Sequence, residues 1–282
     1  MKKIHYWLRA ACLWLLATVV LMPLVMTFAA SLMQKSELLE HIGSVMTGGS
    51  GMANAPLLPR LTTLVQYVSL LMDTPKFLDM FWNLMGMVLP IVAGQVVIGT
   101  LAAWGFARYR FPFRNGLFLL YIALMMLPFQ VTLVPNFLVL DRLGLMDTPW
   151  AVILPGIFST FAVFLLRQFL IAIPESLIEA ARIDGAGELR IFFSIGLALG
   201  HPGIASLCIL SFLDYWNLIE QPMTFISSQD KWPLSLYLTR IGESNLEVAM
   251  AASVIALIAP LLMFFYFESY LVKGIQMSGM KE

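Results

Sequence analysis

Polar and apolar positions fall into long blocks along this chain, without the short alternation of a soluble sheet or the narrow stripes of a soluble helix. Six apolar segments lie at residues 8–32, 81–106, 117–140, 150–171, 202–226 and 248–272. Each approaches or exceeds the ~20 residues that a helix rising 1.5 Å per residue needs to cross about 30 Å of hydrocarbon. Gly, Pro and isolated polar residues interrupt them, as membrane helices tolerate where neighbours satisfy the freed backbone groups. The pattern predicts an all-α polytopic membrane protein with six transmembrane helices. No internal repeat, low-complexity tract or charged linker divides the chain, so residues 1–282 read as a single transmembrane domain. The first segment follows Lys2, Lys3 and Arg9 and ends near Ala29-Ala30-Ser31, as a signal peptide would. Its apolar run exceeds the roughly 7–15 residues of a signal-peptide core, which makes an uncleaved span the expectation.

Composition strengthens this picture. The 282 residues are 60% hydrophobic and 12% charged with zero formal net charge, and the mean hydropathy is +0.84. Such a chain has the bilayer as its main solvent and no global basic excess for nucleic acid. Where the charges lie is more informative. Lys2, Lys3, Arg9, Arg108, Arg110, Arg114, Arg167, Arg182, Arg190, Lys273 and Lys281 belong to the termini and the even-numbered gaps; the odd-numbered gaps hold Lys35, Arg60, Lys76, Arg142, Lys231 and Arg240. The positive-inside rule then predicts that both termini are cytoplasmic, with a cytoplasmic loop at 172–201 and a cytoplasmic tail at 273–282. Residues 33–80 become the longest outer connection, with Gly48-Gly49-Ser50-Gly51 as its tip and a surface-lying amphipathic helix over 57–72.

Candidate chemistry is sparse. Cys12 and Cys208 lie in apolar stretches and read as small buried hydrophobes. His5, His41 and His201 are scattered near the ends of spans, and no metal-ligand or catalytic spacing is present. Trp82, Trp104, Trp150 and Trp232 read as anchors at the membrane interface. A secondary transporter driven by an ion gradient would call for an inverted repeat and ionisable groups near the midplane, and only Asp214 offers the latter.

The most informative interruption is residues 169–203, FLIAIPESLIEAARIDGAGELRIFFSIGLALGHPG. Pro174 ends the fourth span, and Glu175 with Ser176 suit a helix N-terminus, where carboxylates favour the positive end of the dipole. Leu177, Ile178, Ala181 and Ile183 form an apolar stripe, with Glu179 and Arg182 neighbours at i and i+3. Gly185 permits a sharp turn before helix resumes at Glu188. On these residues alone two readings stand level: an amphipathic helix lying in the headgroups, or a docking element for a soluble partner.

This stretch resembles the EAA loop of the inner-membrane permease subunits of binding-protein-dependent ABC importers: Glu-Ala-Ala, three residues, Gly, nine residues, Ile, one residue, Leu-Pro. Glu179, Ala180, Ala181, Gly185, Ile195 and Leu197 match in identity and spacing, whereas position 198 is Ala where the family has Pro. Arg108-Tyr109-Arg110-Phe111-Pro112-Phe113-Arg114, Met126-Leu127-Pro128, Val134-Pro135, Leu166-Arg167-Gln168-Phe169, Trp216-Asn217 and Val272-Lys273-Gly274 resemble the carbohydrate branch, which contains the smaller maltose permease subunit and its glycerol-phosphate relatives. The resemblance implies the type I importer permease fold with a cytoplasmic coupling helix. It implies a transport subunit of the bacterial or archaeal inner membrane, forming half of the path for a carbohydrate or polyol. The implied partners are a second permease subunit in a heterodimer, an ATPase dimer carrying the ATP and Mg, and an extracellular solute-binding protein; no cofactor is bound by this chain. Glu179, Ala180, Ala181, Arg182, Asp184 and Gly185 become the ATPase-coupling residues. The sequence itself contains no Gly-x-x-x-x-Gly-Lys-Ser/Thr phosphate loop.

Polar residues inside spans are expensive and usually face a cavity or another helix. Asn83, Gln95, Gln130, Asn136, Asp214, Asn217, Glu220 and Gln221 form that set. Asp214, Asn217 and Gln221 recur at three- and four-residue spacing, which predicts one shared face of the fifth span with Trp216 beside it. These four, with Gln130 and Asn136, are the candidates for a substrate path; interhelical hydrogen bonding is the alternative for each. An importer permease for another small solute remains the second functional reading.

Overall fold

In hydrocarbon every backbone polar group must be satisfied within its own segment or by close protein neighbours, so apolar blocks of this length become helices. The computed structural model describes residues 2–46, 58–73 and 75–279, and all regular structure among them is helical. In chain order the helices are α1 (Lys2–Ser31), α2 (Lys35–Met46), α3 (Val65–Val68), α4 (Pro75–Arg108), α5 (Arg114–Met125), α6 (Phe129–Arg142) and α7 (Trp150–Ile157). They continue as α8 (Thr160–Ile171), α9 (Glu175–Ile183), α10 (Glu188–Ile191), α11 (Leu197–Trp216), α12 (Glu220–Phe225), α13 (Leu234–Ser244) and α14 (Leu246–Gly279). By length and apolarity five stretches can cross a membrane, and a sixth if α5 and α6 together count as one broken span.

These elements group into two units, Met1–Asp79 with Tyr237–Ile258, and Met80–Leu236 with Ala259–Glu282. In the first, the end of α1 packs Ala29 and Ala30 against Met33, Leu38 and Leu246. Ser31 shares a 2.7 Å hydrogen bond with Tyr67. The Gly48–Gly51 tip lies outside the described residues. The amphipathic helix expected over 57–72 is much shorter: residues 58–64 are irregular, and helix begins only at Val65, continuing as a π turn over Ser69–Asp73.

The second unit is built on a core of Ala103, Trp104, Phe106, Leu166, Leu170 and Phe192 with their neighbours. Trp104 is buried there, in edge contact with Phe192 at 5.6 Å, so it is a core residue and not the interface anchor its position suggests. Close approach of α4 to α7 depends on Gly94, where an added Cβ would lie 2.6 Å from Ile157.

Three spans depart from the apolar blocks. The third is bent by 101° between α5 and α6; Pro128 has no N–H and forces Leu127 out of the helix, ending one segment and starting the next. The fourth is interrupted at Phe158, whose ψ of 71° is non-helical, after which Ser159 caps α8 by accepting from the Ala162 amide at 3.2 Å. The fifth is shifted from 202–226 to Glu188–Trp216. Asn217 ends it by folding its side-chain amide back onto the Leu213 carbonyl at 2.8 Å. Pro202 lies inside α11 and makes no break. The Ala198 carbonyl, whose helical partner would be the amide that Pro202 lacks, instead accepts from His201 Nδ1 at 2.8 Å. The expected tail is likewise helical through Gly279; residues 280–282 lie outside the description.

Candidate functional site

The polar interruption folds as a helix, a turn and a second helix. Pro174 precedes α9 in an extended conformation, and Ile178 of α9 is fully buried in the Trp104 and Leu170 core, with Ala181 half-buried beside it. Asp184 closes α9, Gly185 adopts φ 80°, and Gly187 leads into α10. A positive φ of that size strains any residue with a Cβ, which is why glycine holds the turn.

Four charged residues fix this elbow. The Arg108 side chain, only 6% exposed, donates to the Glu175 carboxylate at 2.8 Å, to the Ile173 carbonyl at 2.6 Å and to the Leu170 carbonyl at 2.5 Å. One guanidinium thereby ties the end of α4 to the end of α8 and the start of α9, with its plane also lying over Trp104 at 5.6 Å. Across the turn, Arg182 Nε donates to Glu188 at 2.8 Å and Tyr109 donates to the same carboxylate at 3.1 Å. The Glu188 hydrogen bond raises the Arg182 pKa. Burial, then the Glu188 carboxylate, raises that of the Tyr109 phenol.

Arg182 therefore pairs with Glu188 and, at 3.9 Å, with Glu175, not with Glu179 as i to i+3 spacing suggests. Glu179 is exposed and has no hydrogen-bond or ion-pair partner among the described residues. Ala180, Asp184 and Gly185 share its exposure, Ala181 is half-buried, and Ile183 is 86% exposed. One side of α9 is locked into the molecule; the other is an open surface of small, acidic and apolar groups. The clamp residues Arg108, Glu175 and Glu188 are not among the site residues the sequence suggests. Their one visible signal is a basic residue at the C-terminal end of an apolar block and acids opening the two short helices.

The intramembrane polar candidates separate. The helix ends at Trp216, so Asp214, Asn217 and Gln221 do not share one helical face; Gln221 belongs to α12. Trp216 is buried, stacked on Phe212 at 5.2 Å and edge-on to Phe81 at 6.0 Å, and presents no free ring face. Gln130 donates to both oxygens of Glu220 at 3.2 Å. Asn136 is half-buried on α6 without a side-chain hydrogen bond among the described residues. At the opposite end of the spans from the elbow, Asp147 accepts from the Ser227 and Ser228 amides at 3.0 and 2.8 Å, from Ser228 Oγ at 2.6 Å and from Lys231 at 3.0 Å. The Ser228 hydrogen bonds, with Lys231, hold this carboxyl well below the usual range.

Residues 95–276 match the family described as binding-protein-dependent transport system inner membrane component. The chain is 32% identical over 227 residues to the arabinooligosaccharides transport system permease protein of Halalkalibacterium halodurans, covering 79% of this chain and 81% of that one. It is also 32% identical over 208 residues to the sn-glycerol-3-phosphate transport system permease protein of Pectobacterium atrosepticum, covering 72% and 74%. A bacterial ABC transporter involved in the import of the acidic polysaccharide alginate superposes with a TM-score of 0.81, over 95% of this chain and 97% of that chain at 22% identity. Fold and elbow define a membrane-embedded permease of the ABC importer class. The chain belongs to the family of binding-protein-dependent transport system inner membrane components.

Proposed function

We propose that this chain forms one half of the translocation path of an ATP-driven importer for a carbohydrate or related polyol. A second permease subunit supplies the other half, an extracellular binding protein delivers the solute, and a cytoplasmic ATPase dimer holds the ATP and Mg. In this reading the termini and the elbow face the cytoplasm. The observation that carries it is the open face of α9: Glu179 unpaired and Ile183 86% exposed, on a helix whose other face is buried and clamped by Arg108. Such a face fits a groove in a soluble subunit. Ala180 and Ala181 allow close backbone approach, and one charge-assisted contact from Glu179 to a basic groove residue sets register.

Coupling then follows from rigidity. Closure of the nucleotide-binding dimer displaces the groove, and with it α9; Arg108 transmits that displacement to α4 and α8, and the Arg182–Glu188 pair transmits it through α10 to α11. A clamped elbow shifts the path between inward- and outward-facing states only because each ATPase state holds it differently. Carbohydrate as cargo is supported by the relatives named for arabinooligosaccharides and by the alginate importer of the same fold.

The test is uptake into proteoliposomes. The native complex should require ATP, the ATPase and the binding protein. Uptake driven by an ion gradient through this chain alone would replace the reading with a secondary transporter.

A further inference from the structure

A cavity of about 330 Å³ opens beside the break in the fourth span, lined by Gln95, Ser159, Phe161, Ser211, Asp214 and Tyr215 among others. Its size is at the lower end of the roughly 300–1,000 Å³ of small-molecule sites. It is deep: Gln95 lies inside the apolar span Lys76–Arg108, about 20 Å of helix from Arg108. Non-helical backbone at that depth persists where protein satisfies it or where it lines a cavity. Both conditions hold at this break. The Gly156 carbonyl, released where α7 ends, accepts from Gln95 Nε2 at 2.7 Å and from the Tyr215 hydroxyl at 3.3 Å. Gln95 Oε1, on a side chain almost wholly buried, accepts from Ser211 Oγ at 2.6 Å.

The neutral groups of this wall therefore satisfy one another, and one group is left over. Asp214, three residues along α11 from Ser211, has no hydrogen-bond or ion-pair partner among the described residues. A carboxylate placed in a span without a cation is costly, and its two oxygens are acceptors only. What compensates it must donate hydrogen bonds. A pair of adjacent sugar hydroxyls does so without bringing charge, while the Phe161 ring offers an apolar wall for sugar CH groups.

We infer that this cavity holds one ring of a neutral saccharide in transit, with Asp214 accepting two of its hydroxyls, and that the same carboxylate disfavours anionic cargo. The inference rests on the carbohydrate reading above and sharpens it. Two of the similar proteins are named for a phosphate ester and an acidic polysaccharide; the unpaired carboxylate of Asp214, exposed at the cavity, disfavours cargo of that charge, because like charges brought close together repel.

The experiment uses the native complex in proteoliposomes, with ATP inside and its binding protein outside, and three labelled probes: arabinotriose, maltotriose and sn-glycerol 3-phosphate. A neutral oligosaccharide is expected to enter and glycerol phosphate to be excluded. Asp214→Asn should lower the sugar moved per ATP hydrolysed by about tenfold, the scale of one charged hydrogen bond, in a complex that still assembles. Asp214→Glu should retain part of the transport. Unchanged sugar movement in Asp214→Asn overturns the inference, as does entry of glycerol phosphate as the cargo. Dissociation of the Asp214→Asn complex also overturns it, making Asp214 a subunit contact. Entry of none of the three probes overturns the carbohydrate reading itself, and this inference with it.

Discussion

The Arg108 guanidinium donates at 2.8 Å to the carboxylate of Glu175, joining the last residue of a long apolar span to the first residue of the exposed elbow. The same side chain holds the Ile173 and Leu170 carbonyls, so three elements meet on one planar fork. Arg108→Ala is expected to lose about 1.5–3 kcal/mol, the scale of hydrogen bonds to a charged group, read as a lower Tm of the purified complex. Arg108→Lys should recover only part, because an ammonium cannot reproduce the fork. An unchanged Tm in Arg108→Ala contradicts this role.

Glu179 is the contrasting acid, exposed and without an intramolecular partner. Glu179→Lys should leave Tm and helix content unchanged and strip the ATPase from the complex during copurification. Arg182→Ala, which releases Glu188, should instead speed hydrogen exchange through residues 184–190.

Gly94 and Gly86 lie on the same helix and meet different surroundings. A Cβ at Gly94 would sit 2.6 Å from Ile157, whereas one at Gly86 would meet nothing within 4 Å. Gly94→Ala is therefore expected to destabilise by about 1–3 kcal/mol through overpacking, and Gly86→Ala to leave Tm unchanged or raise it slightly through helix propensity. Equal effects would show that α4 does not approach α7 this closely.

Asp147 carries a pH dependence whose direction follows from its lowered pKa. Its folded carboxyl titrates below the ordinary 3.8 because Ser228 and Lys231 favour the charged form. The stability it contributes is fully present above about pH 3.8 and disappears as pH falls through the lower folded value. The difference in stability between the wild type and Asp147→Ala should be constant near neutrality and shrink to nothing in strong acid. At pH 7 the Ala variant should exchange the Ser227 and Ser228 amides faster; a difference that grows on acidification contradicts the assignment.

Much of this was legible in the sequence because the bilayer imposes a single rule on long apolar blocks. The elbow was legible because Pro174, Gly185 and the charges around them act within a few residues of one another. What the residues concealed is long-range or buried in uniform apolarity. Pro128 sits in a continuous apolar block, and nothing there distinguishes a tolerated proline from one that turns the chain by 101°. The end of α11 at Trp216 has no basic residue, glycine or proline to mark it. Trp104 looks like any interfacial tryptophan until Phe192 is seen to cover it. Arg108 reads as one more inward-facing cation, and its reach to Leu170, Ile173 and Glu175 exists only in three dimensions.

The central claim is that the open face of α9 docks on a cytoplasmic ATPase. Its most direct measurement is cross-linking in the native complex, with Glu179→Cys introduced after Cys12→Ser and Cys208→Ala, and Asp230→Cys as a comparison at the other end of the spans. A short-spacer cross-link is expected from position 179 to the ATPase subunit and none from position 230, with position 230 alone labelled by a membrane-impermeant maleimide added outside. Labelling of position 179 from outside, with no cross-link to the ATPase, would contradict it.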